Sequence, residues 1–156
     1  MLDLTVKDLT QEQLQELINS VFEWIKKEVP DNSYCNNLNF TKKYTTWKSY
    51  LNLDTLQVKW SYKTKSLRRQ GDFYGLMDYP SNTILLYCKS DYTVKEVLGT
   101  LLHEYCHSQQ PRQLYHYLKV DYWSHPMEKD ADEFADLYLK KYSELQGWKF
   151  EEESVS

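Results

Sequence analysis

Residues 93–111 read Thr-Val-Lys-Glu-Val-Leu-Gly-Thr-Leu-Leu-His-Glu-Tyr-Cys-His-Ser-Gln-Gln-Pro, and the rest of the chain is interpreted from this stretch. Thr93 and Glu96 form a Thr-x-x-Glu capping box, which satisfies two otherwise orphaned amides and predicts a helix starting at about Val94. Val94, Val97, Leu98, Leu101, Leu102 and Tyr105 then recur at helical spacing and predict a buried stripe. Pro111 limits how far the helix can run, since proline cannot continue the hydrogen-bond ladder. Inside this frame lies His103-Glu104-Tyr105-Cys106-His107, an HExxH motif. Two histidines four residues apart share one helix face, so both imidazoles can reach a single metal ion with Glu104 beside it. Zinc takes neutral nitrogen ligands at about 2.0–2.1 Å, and a catalytic site keeps one position for a water whose pKa falls to about 7. Glu104 is the candidate base for that water. The simpler alternative is a chance match on the outer side of an amphipathic helix, and the buried stripe around the motif argues against it.

A third ligand has to come from elsewhere. Ser124-His125-Pro126 signals a second helix with Pro126 in its first turn, followed by the apolar positions Met127, Ala131, Phe134, Ala135, Leu137, Tyr138 and Tyr142. Glu128 and Asp132 fall one turn apart on it. In a site of the two-His, one-Glu type, Glu128 completes the zinc sphere and Asp132 accepts the N–H of a ligand histidine, fixing its tautomer. The competing explanation is a solvated acidic face, which suits Lys129, Asp130 and Glu133. His116 and His125 stay open as alternative third ligands.

The pair formed by His-Glu-Tyr-Cys-His and, about twenty residues later, Glu128-Lys-Asp-Ala131-Asp-Glu-Phe134-Ala135 resembles the HExxH and E-x-x-A-x-x-F-A motifs of the ImmA/IrrE-like metallopeptidases, which are small gluzincins. The resemblance covers roughly residues 70 to 142. It implies a zincin fold with His103, His107 and Glu128 as zinc ligands, Glu104 as base and an intracellular protein as substrate. The metzincin pattern requires glycine at 110 and histidine at 113, where this chain has Gln110 and Gln113, so that class is excluded. SprT-like DNA-associated proteases use a third histidine and are the alternative, with His116 or His125 in that role. Tyr115, Tyr117 and Tyr122 are further candidates to stabilise an oxyanion.

The 156 residues suffice for one domain with a core and a cleft, here expected over residues 1–150 with an acidic tail at 151–156. Hydrophobic residues make up 41% and aromatic residues 15%, so a core is available. No apolar run approaches the roughly twenty residues of a membrane helix, and Met1-Leu2-Asp3-Leu4 does not resemble a signal peptide, which together predict a cytoplasmic protein. An odd set of cysteines (Cys35, Cys88, Cys106) is no disulfide framework. Cys106 is expected to point away from the metal and pack in the core.

Thr10-Gln11-Glu12-Gln13 predicts another capped helix, with Leu14, Leu17, Ile18, Val21, Phe22 and Ile25 on one side and an end by Pro30. Residues 31–39 read as a polar loop. Leu56, Val58, Trp60 and Tyr62 alternate as in a half-buried strand, and 72–77 with 83–88 predict strands flanking the turn Tyr79-Pro80-Ser81-Asn82. The expected class is α+β: an N-terminal helix, a short antiparallel sheet, the HExxH helix and a helix carrying the third ligand. Either strand of the pair could be the edge that holds an extended peptide.

Charge raises a different expectation. The net charge is −4, yet residues 42–69 hold eight Lys or Arg and only Asp54 as an acid, interleaved with Tyr44, Trp47, Tyr50, Trp60 and Tyr62. Basic residues among aromatics suit phosphate attraction and base stacking, so nucleic acid is a second candidate partner. A strand with a basic outer face explains the same composition without one.

Overall fold

The computed structural model describes residues 1–30, 54–63, 66–67, 71–72, 74–110 and 125–150. Among them are three α-helices, α1 (Gln11–Glu28), α2 (Val94–Gln109) and α3 (Pro126–Gln146), and five short strands, β1 (Gln57–Ser61), β2 (Ser66–Leu67), β3 (Gly71–Asp72), β4 (Gly75–Asp78) and β5 (Thr83–Tyr87). The class is α+β. The predicted loop at 31–39 and the tail at 151–156 lie outside the described residues.

Helix α1 begins as its sequence dictates. Thr10 Oγ1 accepts from the Gln13 amide while Gln13 Oε1 accepts from the Thr10 amide, and Leu14, Ile18, Val21, Phe22 and Ile25 are buried on one face. Helix α2 opens on the same reciprocal box between Thr93 and Glu96, and every residue of its predicted apolar stripe is buried. Gln110, which precedes Pro111 in sequence, is extended (φ −80°, ψ 147°), the conformation that a following proline favours. Helix α3 has Pro126 in its first turn and stops at Gly147, whose left-handed φ of 72° lets the Trp148 amide close back onto Ser143 O.

One expectation on α3 fails. Leu137 is 42% exposed, whereas Leu139, unassigned in the sequence, is buried. Taking Ala131 as the centre of the buried face, Leu139 stands about 80° from it and Leu137 about 120° at the helical angle of roughly 100° per residue. Leu139 therefore joins the core and Leu137 does not.

Strands β1, β5 and β4 form a three-stranded sheet in that order. The pair β4–β5 is antiparallel, with Met77 opposite Ile84, and its turn holds Asn82 at a positive φ of 50°. The expectation of an antiparallel sheet is corrected at β1, which runs parallel to β5 with Val58 opposite Ile84. No hairpin joins those two strands. The chain reaches β5 only after β2, β3 and β4, and so enters it in the direction of β1. The strand expected over 72–77 is also divided, since Gly71–Asp72 pairs with Ser66–Leu67 and a new strand starts at Gly75.

Helix α2 packs against the sheet, α1 and α3, and the buried residues from Leu2 to Tyr142 form one hydrophobic cluster around it. At Gly75 the packing leaves no space. A Cβ there would lie 2.6 Å from Leu85 O and 2.8 Å from Thr100 Cγ2, so only glycine lets α2 approach β4 so closely. Tyr105, fully buried on α2, donates its hydroxyl to Val29 O just beyond α1, at 2.6 Å.

Candidate metal centre

The last two turns of α2 and the first turns of α3 bring three donors to one point. His103 and His107 share a face of α2 because they are four residues apart, and Glu128 faces them from α3. One donor atom from each lies within 4.8 Å of the other two. The two Nε2 atoms are 3.0 Å apart. Glu128 divides its carboxylate between them, Oε2 standing 3.0 Å from His103 Nε2 and Oε1 2.9 Å from His107 Nε2. Donors around a tetrahedral ion with bonds of roughly 2.0–2.1 Å stand about 3.3–3.4 Å apart. The two ring nitrogens, and each nitrogen with its nearer Glu128 oxygen, stand a few tenths of an ångström inside that spacing.

Both rings are backed at the nitrogen facing away from that point. His103 Nδ1 donates to Asp132 Oδ1 at 2.9 Å, the contact expected from the Glu-x-x-x-Asp spacing. His107 Nδ1 donates to Gln110 Oε1 at 2.7 Å. With Nδ1 carrying hydrogen, Nε2 is the nitrogen each neutral ring would offer a metal ion, the arrangement in which imidazole ligates. Two imidazole nitrogens and one carboxylate oxygen could hold a metal ion.

Electrostatics agree with a site that attracts positive charge. Burial disfavours a charged His103, yet hydrogen bonds to Asp132 and Glu128 and the charge of Glu104 outweigh it and raise its pKa to about 10. His107 is raised for similar reasons, its burial opposed by the Glu128 hydrogen bond and by the Glu104 and Glu128 charges. Glu128 would be pushed up by burial, but its bonds from both rings hold it well below the usual carboxylate range. Glu104, buried on the same helix, goes the other way. Loss of solvent raises its pKa against the charges of His107 and His103 and a hydrogen bond from the Met77 backbone. The candidate base is thus tied to β4, which among the described residues of that sheet pairs with β5 alone.

Other expectations divide. His125 is buried as the cap of α3, accepting from the Met127 amide at Nδ1, and is not one of the converging donors. His116, Tyr115, Tyr117 and Tyr122 lie outside the described residues, as does most of the basic segment 42–69. Cys106 is buried in the core as expected, its sulfur 3.7 Å from Asp130 Oδ2. Asp130, read as a solvated residue, is in fact buried. Burial raises its pKa to about 6 despite hydrogen bonds from Gln110 and Cys106. Sequence reasoning also missed Gln110 and the Tyr79 hydroxyl, which donates to His107 O at 3.3 Å. The one available signal for Gln110 was its place before a proline.

No described helix is long and apolar enough to cross a membrane. No family model, curated protein or solved structure matches the chain.

Proposed function

We propose that the chain is a zinc-dependent peptidase of the two-His, one-Glu type, with His103, His107 and Glu128 as ligands and Glu104 as general base. The observation that carries this reading is the convergence of His103 Nε2, His107 Nε2 and Glu128 on one point, with each ring's Nδ1 engaged behind it. The motif resemblance to the ImmA/IrrE-like metallopeptidases supports the same ligand set and the zincin assignment. Glu128 supports it over an SprT-like site, since His125 is committed to capping α3.

Bound zinc would supply a Lewis acid and lower the pKa of a water in its sphere to about 7. The chain's own residues account for the remainder. Glu104, with its raised pKa, is suited to take a proton and return it to the leaving amine nitrogen. Glu128, held ionised, stays a ligand throughout. Among the described residues β4 has a strand neighbour on one side only. The Tyr87 amide donates to Tyr74 O, and the alternation of an antiparallel ladder then turns the backbone groups of Gly75 and Met77 away from β5. The Met77 amide serves Glu104, so the Gly75 amide and carbonyl and the Met77 carbonyl are the groups that could hold an extended peptide beside it. The proposed substrate is an intracellular protein.

Metal analysis and peptide hydrolysis by the zinc-loaded protein test this reading. Wild type is expected to hold one zinc and to cleave an unstructured protein, and Glu104→Gln to lose about 10²–10⁴-fold in rate while keeping its zinc. Loss of zinc in Glu104→Gln would show that Glu104 is a ligand instead. Glu128→Ala is expected to strip the metal; stoichiometric zinc in that variant would move the third ligand to His116 or His125.

A further inference from the structure

Gln110 stands where α2 ends, and its side chain joins three groups. Its backbone is extended, which takes the chain off the helix axis while its side chain folds back onto the helix it has just left. Oε1 lies 2.7 Å from His107 Nδ1. Nε2 lies 2.9 Å from Met127 O and 2.9 Å from Asp130 Oδ2, both on α3, and 3.7 Å from Cys106 Sγ. The residue is 2% exposed.

Donor and acceptor chemistry removes any freedom in how this amide is oriented. A backbone carbonyl can only accept, so the end of Gln110 facing Met127 O must be its NH2 group. The end facing His107 is then the carbonyl oxygen, which also only accepts. His107 Nδ1 must therefore carry a hydrogen, so Nε2 is the nitrogen the neutral ring would offer to a metal ion between His103 and Glu128. Turning the amide over would set its carbonyl against Met127 O and the Asp130 carboxylate, two repulsive contacts in a buried place. Met127 directly precedes Glu128 in sequence, so the bond that fixes the amide also fixes the turn that delivers the third ligand.

We propose that Gln110 is a positioning residue of the metal centre, setting the His107 tautomer and locking that ring to the α3 turn that carries Glu128. The inference rests on the zinc reading. It assigns to one neutral side chain two tasks: orienting a ligand and spacing the two helices that supply ligands.

Zinc affinity, measured by competition with a chromogenic chelator, is compared with the thermal stability of the metal-free protein in two variants. Gln110→Leu removes both polar ends and is expected to weaken zinc binding about ten- to a hundredfold. Gln110→Glu keeps an acceptor for His107 but places a second carboxyl group beside Asp130. It is expected to bind zinc more tightly than Gln110→Leu while melting lower than it. If Gln110 is only a tie between helices, zinc affinity instead follows stability in both variants, and that result overturns the proposal. Nitrogen-15 spectra of the zinc-loaded wild type add a measurement that needs no variant. His107 is expected with hydrogen on Nδ1 and zinc on Nε2, and ligation through Nδ1 overturns the proposal. Wild type that binds no zinc overturns the metal centre itself; zinc bound equally well by wild type and Gln110→Leu overturns only the role of Gln110.

Discussion

The two halves of helix α2 differ in what they bury. From Val94 to Leu102 the buried side chains are all apolar. From His103 onward the buried set includes Glu104, His107, Ser108 and Gln109, with Gln110 following. Apolar burial contributes stability of roughly 25 cal/mol per Å² removed from water. Buried polar groups cost free energy unless each finds a partner. The first half thus stabilises the helix, and the second spends part of that stability on a site. The partners in the second half come largely from other elements: Tyr105 and Gln109 both donate to Val29 O, and Gln110 donates to Met127 O. A site at the end of a helix needs its neighbours in place before its polar groups are satisfied. A helix start supported by its own cap does not.

Changes in the first half should therefore lower stability and leave metal affinity alone, while changes around the site should alter metal affinity beyond their effect on stability. The largest effect is expected at Leu98, fully buried in the first half. Leu98→Ala should cost about 2–5 kcal/mol in denaturant unfolding, because a cavity is left in a packed core. Zinc affinity of the molecules that remain folded should not change. A loss of affinity matching the loss of stability would mean that the two halves are one unit and the contrast is empty.

A smaller effect is expected at Asp132, which backs His103 while its side chain stays 73% exposed. Asp132→Asn keeps an oxygen for His103 Nδ1 but removes the charge. Zinc binding should weaken by about tenfold, the low end for a partner behind a ligand histidine. Because solvent and ions screen an exposed carboxylate, the difference should shrink as salt is raised. Chelator competition at two ionic strengths checks both parts. A salt-independent loss would show that Asp132 acts by geometry, as Gln110 does, and would remove the distinction between an exposed and a buried backing group.

The same contrast explains how much the sequence disclosed. The starts of α1 and α2 were legible because Thr10 with Gln13 and Thr93 with Glu96 act within three residues of each other. The pairing of Asp132 with His103 could be expected because its spacing from Glu128 is also local, one turn of helix. Longer-range arrangement was not legible. Nothing in Leu56 to Tyr62 says that this strand lies parallel to β5, since that depends on the path of the chain through β2, β3 and β4. Nor could the sequence decide which strand of the β4–β5 pair is flanked on both sides; among the described residues it is β5, because β1 takes its other side. Leu137 was misassigned because an apolar residue near a buried stripe looks like part of it until the angle is followed. Gln110 was missed for a chemical reason. An uncharged amide near a motif carries no sign of its partners, and those partners lie on another helix.

The smallest of these effects is expected at Thr93, at the opposite end of α2 from the site. Its hydroxyl oxygen accepts from the Glu96 amide at 3.1 Å, and Glu96 Oε1 accepts from the Thr93 amide at the same distance. The next amides are satisfied independently: Val94 donates to Leu4 O at 2.8 Å and Lys95 to Leu2 O at 3.2 Å. Thr93→Ala therefore removes one side-chain acceptor from a helix start whose neighbouring amides keep their backbone partners. The expected cost is about 1 kcal/mol, read as a lower denaturant midpoint with an unchanged slope. Zinc affinity should stay at the wild-type value. If this substitution, about three turns of helix from the nearest ligand, weakened zinc binding beyond its effect on the folded fraction, the start of α2 would be setting the geometry at its end. The helix would then act as one rigid rod, and the division between a stabilising half and a functional half would fail at the position where it is most exposed to test.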